Sequence, residues 1–202
     1  MRRKIFSIFI LMGTVMTLMH GQSYYRTTSG SKLWLDGSST INTFSCTTYR
    51  INGLASFNND SAFVFVRIDV LSLDCGNNKM NDDMFRAMKV EQYPSIQYTM
   101  LSADSVYINS ANKKVQVCTT GNITIAGVTQ KVTIPITITP IDKTHYRVTG
   151  RKDLSMHQFN IIPPTAFLGL IRAHDKLIVN FDIVVEKNAG VRPEFVSEFP
   201  HH

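Results

Sequence analysis

Histidine and cysteine are the residues of this chain best suited to catalysis or metal binding, since imidazole and thiolate are common bases, nucleophiles and metal ligands. His145, His157 and His174 lie far apart in the sequence and have no ligand-like spacing. The chain contains no C-x-x-C, G-x-S-x-G, H-E-x-x-H, P-loop or G-x-G-x-x-G sequence. The sequence therefore predicts no catalytic residue, no metal site and no cofactor, and each histidine is interpreted as a surface or locally hydrogen-bonded residue.

Three cysteines, Cys46, Cys75 and Cys118, allow one disulfide and one remaining thiol in an oxidising compartment. Cys75 lies in the polar turn of residues 73–78, whereas Cys118 lies in a strand-like run where a small buried residue is expected. This contrast favours a Cys46–Cys75 disulfide.

The first 22 residues have the layout of a secretory signal peptide. Arg2, Arg3 and Lys4 precede an apolar stretch, residues 5–19, that is short for a membrane span. We expect cleavage near residue 22 and a periplasmic or secreted protein; an uncleaved membrane anchor is the alternative. The net charge of +6 includes the three leader cations, which leaves +3 scattered over the remainder and argues against nucleic acid binding.

Apolar and polar residues alternate along most of the chain after Leu33, which is the period of β-strands. A strand is predicted over residues 61–73 and another over residues 176–186, and several shorter runs lie between short polar turns. An antiparallel meander closed into a barrel is favoured because closure removes exposed strand edges. Pro135 cannot donate to a ladder, so its strand should have one weakly paired side or a bulge.

One helix is predicted near residues 81–89, with Asn81 as its N-terminal cap. Met80, Met84 and Met88 recur at intervals of four residues with Phe85 beside them. This stripe is expected to seal a barrel end or to pack on the barrel wall.

Five segments occur in the order found in a known family. They are W-L-D-G-S-S at residues 34–39, D-C-G-N-N-K-M-N at 74–81, Y-P-S-I-Q-Y at 93–98, G-N-I-T-I-A-G-V-T at 121–129 and L-S-M-H-Q-F at 154–159. Over residues 33–186 the chain resembles the YceI-like family of exported lipid-binding proteins. The resemblance implies an all-β fold with one short helix, an eight-stranded antiparallel lipocalin-like barrel, and a polyisoprenoid or related amphiphile inside it. The expected organisation is a signal peptide at 1–22, a barrel domain at 23–187 and a loosely held tail at 188–202.

The inward faces of the predicted strands are mainly Val and Ile, which can leave an apolar channel in a barrel of this size. The predicted channel lining, assigned from strand phase, is Val64, Val66, Ile68, Val70, Ile96, Tyr98, Met100, Ile134, Ile136, Ile138, Leu177, Val179, Phe181 and Ile183. A barrel filled by these side chains, acting through protein–protein contacts, is the alternative. A barrel enzyme with a lipid substrate would need a polar group of perturbed pKa in the channel, and no assigned position offers one.

Residues 167–171, F-L-G-L-I, form an apolar stretch outside any predicted strand. They are interpreted as a lid at the barrel mouth, a lip in transient contact with a membrane surface, or a buried plug. His157, Phe167 and Leu170 are assigned as lid or head-group residues. The expected partner is an amphiphilic lipid or isoprenoid, and the protein is expected to be a monomer or dimer.

Overall fold

The computed structural model describes residues 23–57, 62–109 and 114–189, and these residues are mostly β-strands. The strands are β1 Ser23–Thr27, β2 Lys32–Ser38, β3 Thr43–Thr48, β4 Ile51–Phe57, β5 Ala62–Asp69, β6 Ser95–Asn109, β7 Lys114–Ile125, β8 Val128–Pro140, β9 His145–Ser155, β10 Thr165–Ala166, β11 Ile171–Arg172 and β12 Lys176–Ala189. One α-helix, α1, spans Asn78–Ala87, and 3-10 helices span Val70–Ser72, His157–Phe159 and Phe167–Gly169. The predicted signal peptide lies outside the described residues, as does the tail after Ala189, and β12 runs two residues beyond the expected barrel boundary at Lys187.

The strands form a closed antiparallel barrel. The order is β1-β4-β5-β6-β7-β8-β9-β12, and β12 pairs back to β1. β2 follows β1 along the same edge of β12. β4 pairs with β1, and β3 pairs with β2. β1 with β2 and β3 with β4 are therefore two interrupted strands, and the barrel has the eight strands that were predicted.

Ser31 bridges the interruption between β1 and β2. Its hydroxyl donates to the Thr28 carbonyl, just after β1, at 2.8 Å and accepts from the Val184 N–H at 3.0 Å. Gly30 precedes it at φ 89°, in the left-handed region that glycine adopts without steric cost. Ser31 is 3% exposed, so its hydroxyl satisfies backbone groups that would otherwise be buried without partners.

β8 and β9 separate along part of their length. β8 pairs with β7 over eleven residue pairs but with β9 over only five, and the β8–β9 ladder ends at Ile136 opposite Gly150. Pro135 is the next residue, so the predicted weakly paired side is confirmed. The Gln130 amide donates to the Gln158 carbonyl at 2.8 Å, which ties the 3-10 helix His157–Phe159 to β8.

Helix α1 lies in the β5–β6 connection and marks what we call the helix end of the barrel. Its N-cap is Asn77, whose side chain accepts from the Met80 N–H at 3.2 Å; the prediction of Asn81 as the cap was wrong. Asn81 lies inside the helix, where its side chain accepts from the Cys75 N–H and donates to Asp74. The predicted stripe does seal this end, since Met88 is buried and both Met84 and Phe85 pack against the same cluster.

The buried core is concentrated at the helix end. One cluster joins Val70, Met88, Ile125, Ala126, Leu154, Met156, Phe159 and Ile161, and a second joins Leu33, Ile51, Ile68 and Leu73. The β7–β8 turn and the β9–β12 connection also lie at this end, whereas residues 141–144, between β8 and β9, lie at the opposite one, the far end. Among the described residues, no helix has the length and apolar character needed to cross a bilayer.

Candidate functional site

The residues predicted to line a channel lie on the inward face of the barrel, with one exception. Strand registers place Val64, Val66 and Ile68 of β5 opposite Ala55, Gly53 and Ile51 of β4. The same alternation carries the inward face through β6, β8 and β12, where it includes Ile96, Tyr98, Met100, Ile134, Ile136, Ile138, Leu177, Val179, Phe181 and Ile183. The structure therefore brings these side chains together around one lumen.

Val70 is the exception. The strand predicted over residues 61–73 ends at Asp69, whose side chain accepts from the Leu71 N–H at 3.0 Å and starts the 3-10 helix Val70–Ser72. Val70 is 1% exposed and packs with Met88 and Phe159. It is part of the plug at the helix end and not of the lumen wall.

Burial of the inward side chains differs between the two ends. Toward the helix end, Ile68, Ile125 and Leu154 are buried, whereas Ile96, Ile123, Leu177 and Val179 are partly accessible. Toward the far end, the inward side chains remain partly accessible: Ala55, Val64, Val117, Ile136, Ile138, Tyr146, Val148, Phe181, Ile183 and Val185. Side chains enclosed in a filled barrel would be inaccessible, so the apolar wall of the far half is not completely covered by other side chains.

Two large aromatic side chains each lie over a glycine of a neighbouring strand. The ring of Phe181 lies over Gly150 of the neighbouring strand, where a Cβ would come within 2.3 Å of the ring. The ring of Tyr98 covers Gly121 in the same way, at 2.6 Å. Each glycine therefore leaves room for the ring beside the backbone.

A polar pair lies on this apolar wall. The Tyr98 hydroxyl donates to the Thr119 hydroxyl at 3.2 Å, and Thr119 donates to the Ile134 carbonyl at 3.1 Å. Burial raises the pKa of Tyr98, so the phenol stays neutral at physiological pH. Sequence reasoning missed Thr119, although its alternation with Val117 and Gly121 along β7 places it on the inward face.

Aromatic residues cluster at the far end. The ring of Tyr25 contacts Phe57 and Tyr146 edge to face, with centroids 5.4 and 5.8 Å apart. Burial, and then the neighbouring Tyr146 hydroxyl, raise the pKa of Tyr25. This cluster gives one side of the far end an amphipathic rim of rings and hydroxyls.

The charged residues at inward strand positions are both lysines within the part of the chain that the structure describes. Lys152 alternates with Gly150 and Leu154 on β9, and Lys187 follows Val185 on β12. Both are half-buried. The lumen therefore carries positive charge and, at its described positions, no carboxylate.

His157 and Leu170, two of the assigned lid and head-group residues, are exposed to solvent. His157 is largely exposed beside the Asp175 carboxylate, and Leu170 is 80% exposed in the connection between β9 and β12. The side chain of Phe167 lies outside the described residues. Leu168, next to it, is 106% exposed, so interpreting this segment as a buried plug was wrong.

The Cys46–Cys75 disulfide is present, as predicted. It joins β3 to the turn before α1, next to a pair of backbone hydrogen bonds between Thr47 and Asp74. Constraining a loop of this length contributes about 3–4 kcal/mol to the free energy of unfolding in the chain-entropy model.

Cys118 carries a free thiol and is half-buried on the outer face, where a small buried residue was expected. It lines a shallow groove of about 520 Å³ that crosses β7, β8, β9, β12 and β2 on the outside of the barrel, together with Trp34, Arg151, Asn180 and Asp182.

The histidines make local contacts. His145 Nδ1 lies 3.0 Å from Asp142, and His174 Nδ1 lies 2.9 Å from the Ser38 hydroxyl. Asp175 accepts from the Ser155 hydroxyl and from the backbone and ring of His157. Among residues 23–57, 62–109 and 114–189, no three His, Cys, Asp or Glu side chains are grouped as a metal site.

A family model for the YceI-like domain matches residues 24–185 of the chain. The chain belongs to the YceI-like family. The match spans the whole closed barrel, from β1 to β12. No curated protein sequence matches this YceI-like chain.

Solved structures of the YceI type share the fold. A polyisoprenoid-binding domain from Saccharophagus degradans, implicated in plant cell wall breakdown, has a TM-score of 0.64 at 12% identity, covering 82% of this chain and 98% of that one. BcnA of Burkholderia cenocepacia has a TM-score of 0.60 at 18% identity, covering 76% and 95%. The YceI protein of Campylobacter jejuni has a TM-score of 0.57 at 16% identity, covering 70% and 83%. At these identities the likeness concerns the fold.

Proposed function

We propose that this YceI-like protein is an exported carrier that holds one long hydrophobic molecule, polyisoprenoid-like or fatty-acyl, in the far half of its barrel. The observation that carries the proposal is the accessible apolar wall of that half. Ile136, Ile138, Val148 and Ile183 point inward yet remain partly accessible. A chain-like apolar ligand would remove this surface from water, at about 25 cal/mol per Å² buried.

The shape of the lumen supports a long ligand. The rings of Phe181 and Tyr98 lie over Gly150 and Gly121 of the neighbouring strands, and we infer that they leave the lumen undivided. The plug of Met88, Met156 and Phe159 closes the helix end. A ligand would therefore enter from the far end and extend toward the plug. The polyisoprenoid-binding domain that shares the fold supports the same class of cargo.

The charges on the lumen support a neutral or anionic polar end. Lys152 and Lys187 occupy inward positions, and a cationic head group would be repelled by both. The Tyr25 and Tyr146 hydroxyls at the far end offer hydrogen bonds to such a group.

The side chains that reach the lumen favour a binding function over a catalytic one. The Tyr98 hydroxyl is engaged by Thr119, and its raised pKa makes it a poor base at neutral pH. We infer that the protein retains its cargo unchanged, for transport, storage or protection of the cell envelope. The periplasm or the exterior is the proposed location, because residues 1–22 have the layout of a signal peptide.

Mass spectrometry of an organic extract from the purified protein tests the proposal. We expect one stoichiometric isoprenoid, quinone or fatty-acyl species. Val148→Phe fills the far half of the lumen and should lower its occupancy several-fold, whereas Thr149→Phe, on the outer face of the same strand, should leave it unchanged. Both variants must first give the wild-type circular dichroism spectrum.

The competing function is that of an envelope protein whose barrel acts through protein contacts on its outer face. An empty extract, with no uptake of prenyl lipids by the purified protein, would favour that function and refute the carrier.

A further inference from the structure

Four large apolar side chains project into solvent at one corner of the barrel. Ile41 is 66% exposed, Ile162 81%, Leu168 106% and Leu170 80%. We call this set the apolar corner. It belongs to two segments of the chain, residues 39–42 between β2 and β3 and residues 160–172 in the β9–β12 connection.

Backbone hydrogen bonds hold these segments together. The Thr40 N–H donates to the Arg172 carbonyl at 3.0 Å, and the Thr40 hydroxyl donates to the Leu170 carbonyl at 3.4 Å. The Ala173 N–H donates to the carbonyl of Pro164 at 3.0 Å. Pro164 is two residues after Ile162, so this bond fixes the backbone close to Ile162. The corner is thus one surface, built on the β10–β11 hairpin and anchored to the barrel by the Ser39–Ala173 bridge.

The apolar corner has a one-sided charge. Arg172 is the only charged residue in the sequence of these two segments, and Asp175, three residues further on, accepts hydrogen bonds from Ser155 and His157. Arg172 is exposed and has no ion-pair partner among the side chains that the structure describes. Exposed apolar tips beside an unpaired cation suit a surface that is anionic outside and apolar beneath.

We propose that the apolar corner docks this protein on the surface of an anionic phospholipid bilayer. Leu168, at φ 56° and followed by Gly169 at φ 91°, forms the tip of the hairpin and points away from the rest of the molecule. A bilayer accepts separate protruding side chains without needing a complementary shape. A second protein copy would need a matched, continuous face.

The docking depends on these two segments and not on what the lumen holds. Vesicle binding and cargo retention are therefore separate measurements, and either can fail without the other. Docking would place the helix end toward the membrane, because the β9–β12 connection lies at that end.

Flotation with vesicles of phosphatidylglycerol and phosphatidylethanolamine tests the proposal. Every variant is used in the same N-terminal form, checked by intact mass, because the apolar residues 5–19 would themselves bind lipid. Replacing Leu168 and Leu170 together by Ser should lower the partition coefficient about 100-fold, the expected loss for two inserted leucines. The matched control replaces Leu101 on β6 and Ile141 at the far end, 56% and 53% exposed, by Ser and should change it less than two-fold.

Arg172→Gln separates the electrostatic part of the binding. It should weaken binding to the anionic vesicles and leave binding to phosphatidylcholine vesicles unchanged. Absence of wild-type binding, or equal binding by the Leu168/Leu170 variant, overturns the proposal. Sedimentation that reveals a dimer sensitive to Leu168 and Leu170, without vesicle binding, would assign the corner to a second copy and also overturns it. Thermal unfolding verifies that each variant is folded.

Discussion

At the residue scale, the contact between Gly150 and Phe181 affects the width of the lumen. The Phe181 ring occupies the space that a side chain at position 150 would take. A glycine at this inward position would therefore contribute to the proposed cargo capacity without touching the cargo, because it lets the ring lie over the backbone of the neighbouring strand.

Replacing Gly150 by Ala should push the Phe181 ring into the lumen. The added methyl meets only the far end of a side chain, at 2.3 Å, so the fold should persist while cargo occupancy falls about ten-fold, the effect of losing roughly 1.4 kcal/mol of binding free energy. Lipid extraction and mass spectrometry measure the occupancy. Adding Phe181→Leu to the variant should restore it, and full occupancy in the single variant would contradict the assignment.

Gly121 provides a contrast with Gly150. A Cβ there would lie 2.5 Å from the Thr99 carbonyl oxygen, which is backbone, as well as against the Tyr98 ring. A substitution at Gly121 therefore acts on the sheet itself, and its effect on cargo cannot be separated from its effect on folding.

Alternation in the sequence predicted the inward residues of β5, β6, β8 and β12 because side chains in a strand change face at every residue. Val70 continues that alternation, yet the Asp69 side chain starts a 3-10 helix there. The pairing of Phe181 with Gly150 depends on register between strands about thirty residues apart, which no local pattern encodes.

At the scale of elements, Asp175 links the end of β9 to the start of β12 through hydrogen bonds. It lies just before β12 and accepts hydrogen bonds from Ser155, at the end of β9, and from His157. These bonds, first that of the Ser155 hydroxyl, lower the pKa of Asp175 below its ordinary value of 3.8. The ends of β9 and β12 are thus joined by one carboxylate in addition to their ladder.

This carboxylate should make the protein acid-sensitive. Because the folded pKa lies below the unfolded one, the unfolded chain binds more protons, and the stabilisation is complete above about pH 4 and lost as the pH falls below it. Asp175→Asn should lower the free energy of unfolding at pH 7 and reduce its loss between pH 5 and pH 2.5. Urea unfolding across that range measures both quantities. The control Asp82→Asn, on the helix surface, should keep the wild-type acid profile, and an unchanged profile in the Asp175 variant would refute the assignment.

The strands and helices differ in how well they can be predicted from their own residues. β3, Thr43–Thr48, was not predicted, because Phe44 and Cys46 are its only apolar residues and no longer alternation frames them. The helix was predicted in the right part of the chain, but it begins earlier than expected. Asn77 and Asn81 are both suitable N-caps, and the turn that contains Asp74 and Cys75 makes Asn77 the cap by engaging the side chain of Asn81. The apolar stretch of residues 167–171 was interpreted as a lid, a lip or a plug, because hydrophobicity alone does not tell which surface a loop contacts.

The whole molecule should respond to its cargo as a single cooperative unit, because one lumen is shared by all eight strands. Removing the bound lipid with organic solvent and refolding the chain should lower Tm by about 5–10 °C, as expected when a ligand present at a hundred times its Kd is lost. Calorimetry before and after reloading measures the shift. A Tm that is the same with and without extractable lipid would contradict a ligand-filled lumen.

The closed ladder has a consequence for how the protein is made. β12 is the last strand of the barrel to be synthesised, and it pairs with β1, β2 and β9. Until β12 has been synthesised, β1 and β9 both have unpaired edges. The β1–β12 contacts, which join residues about 160 positions apart in the sequence, must therefore form last. A chain threaded through an export channel from its N-terminus therefore cannot enclose anything until its C-terminal end has emerged. Loading would then take place only after synthesis, in the compartment where the protein resides.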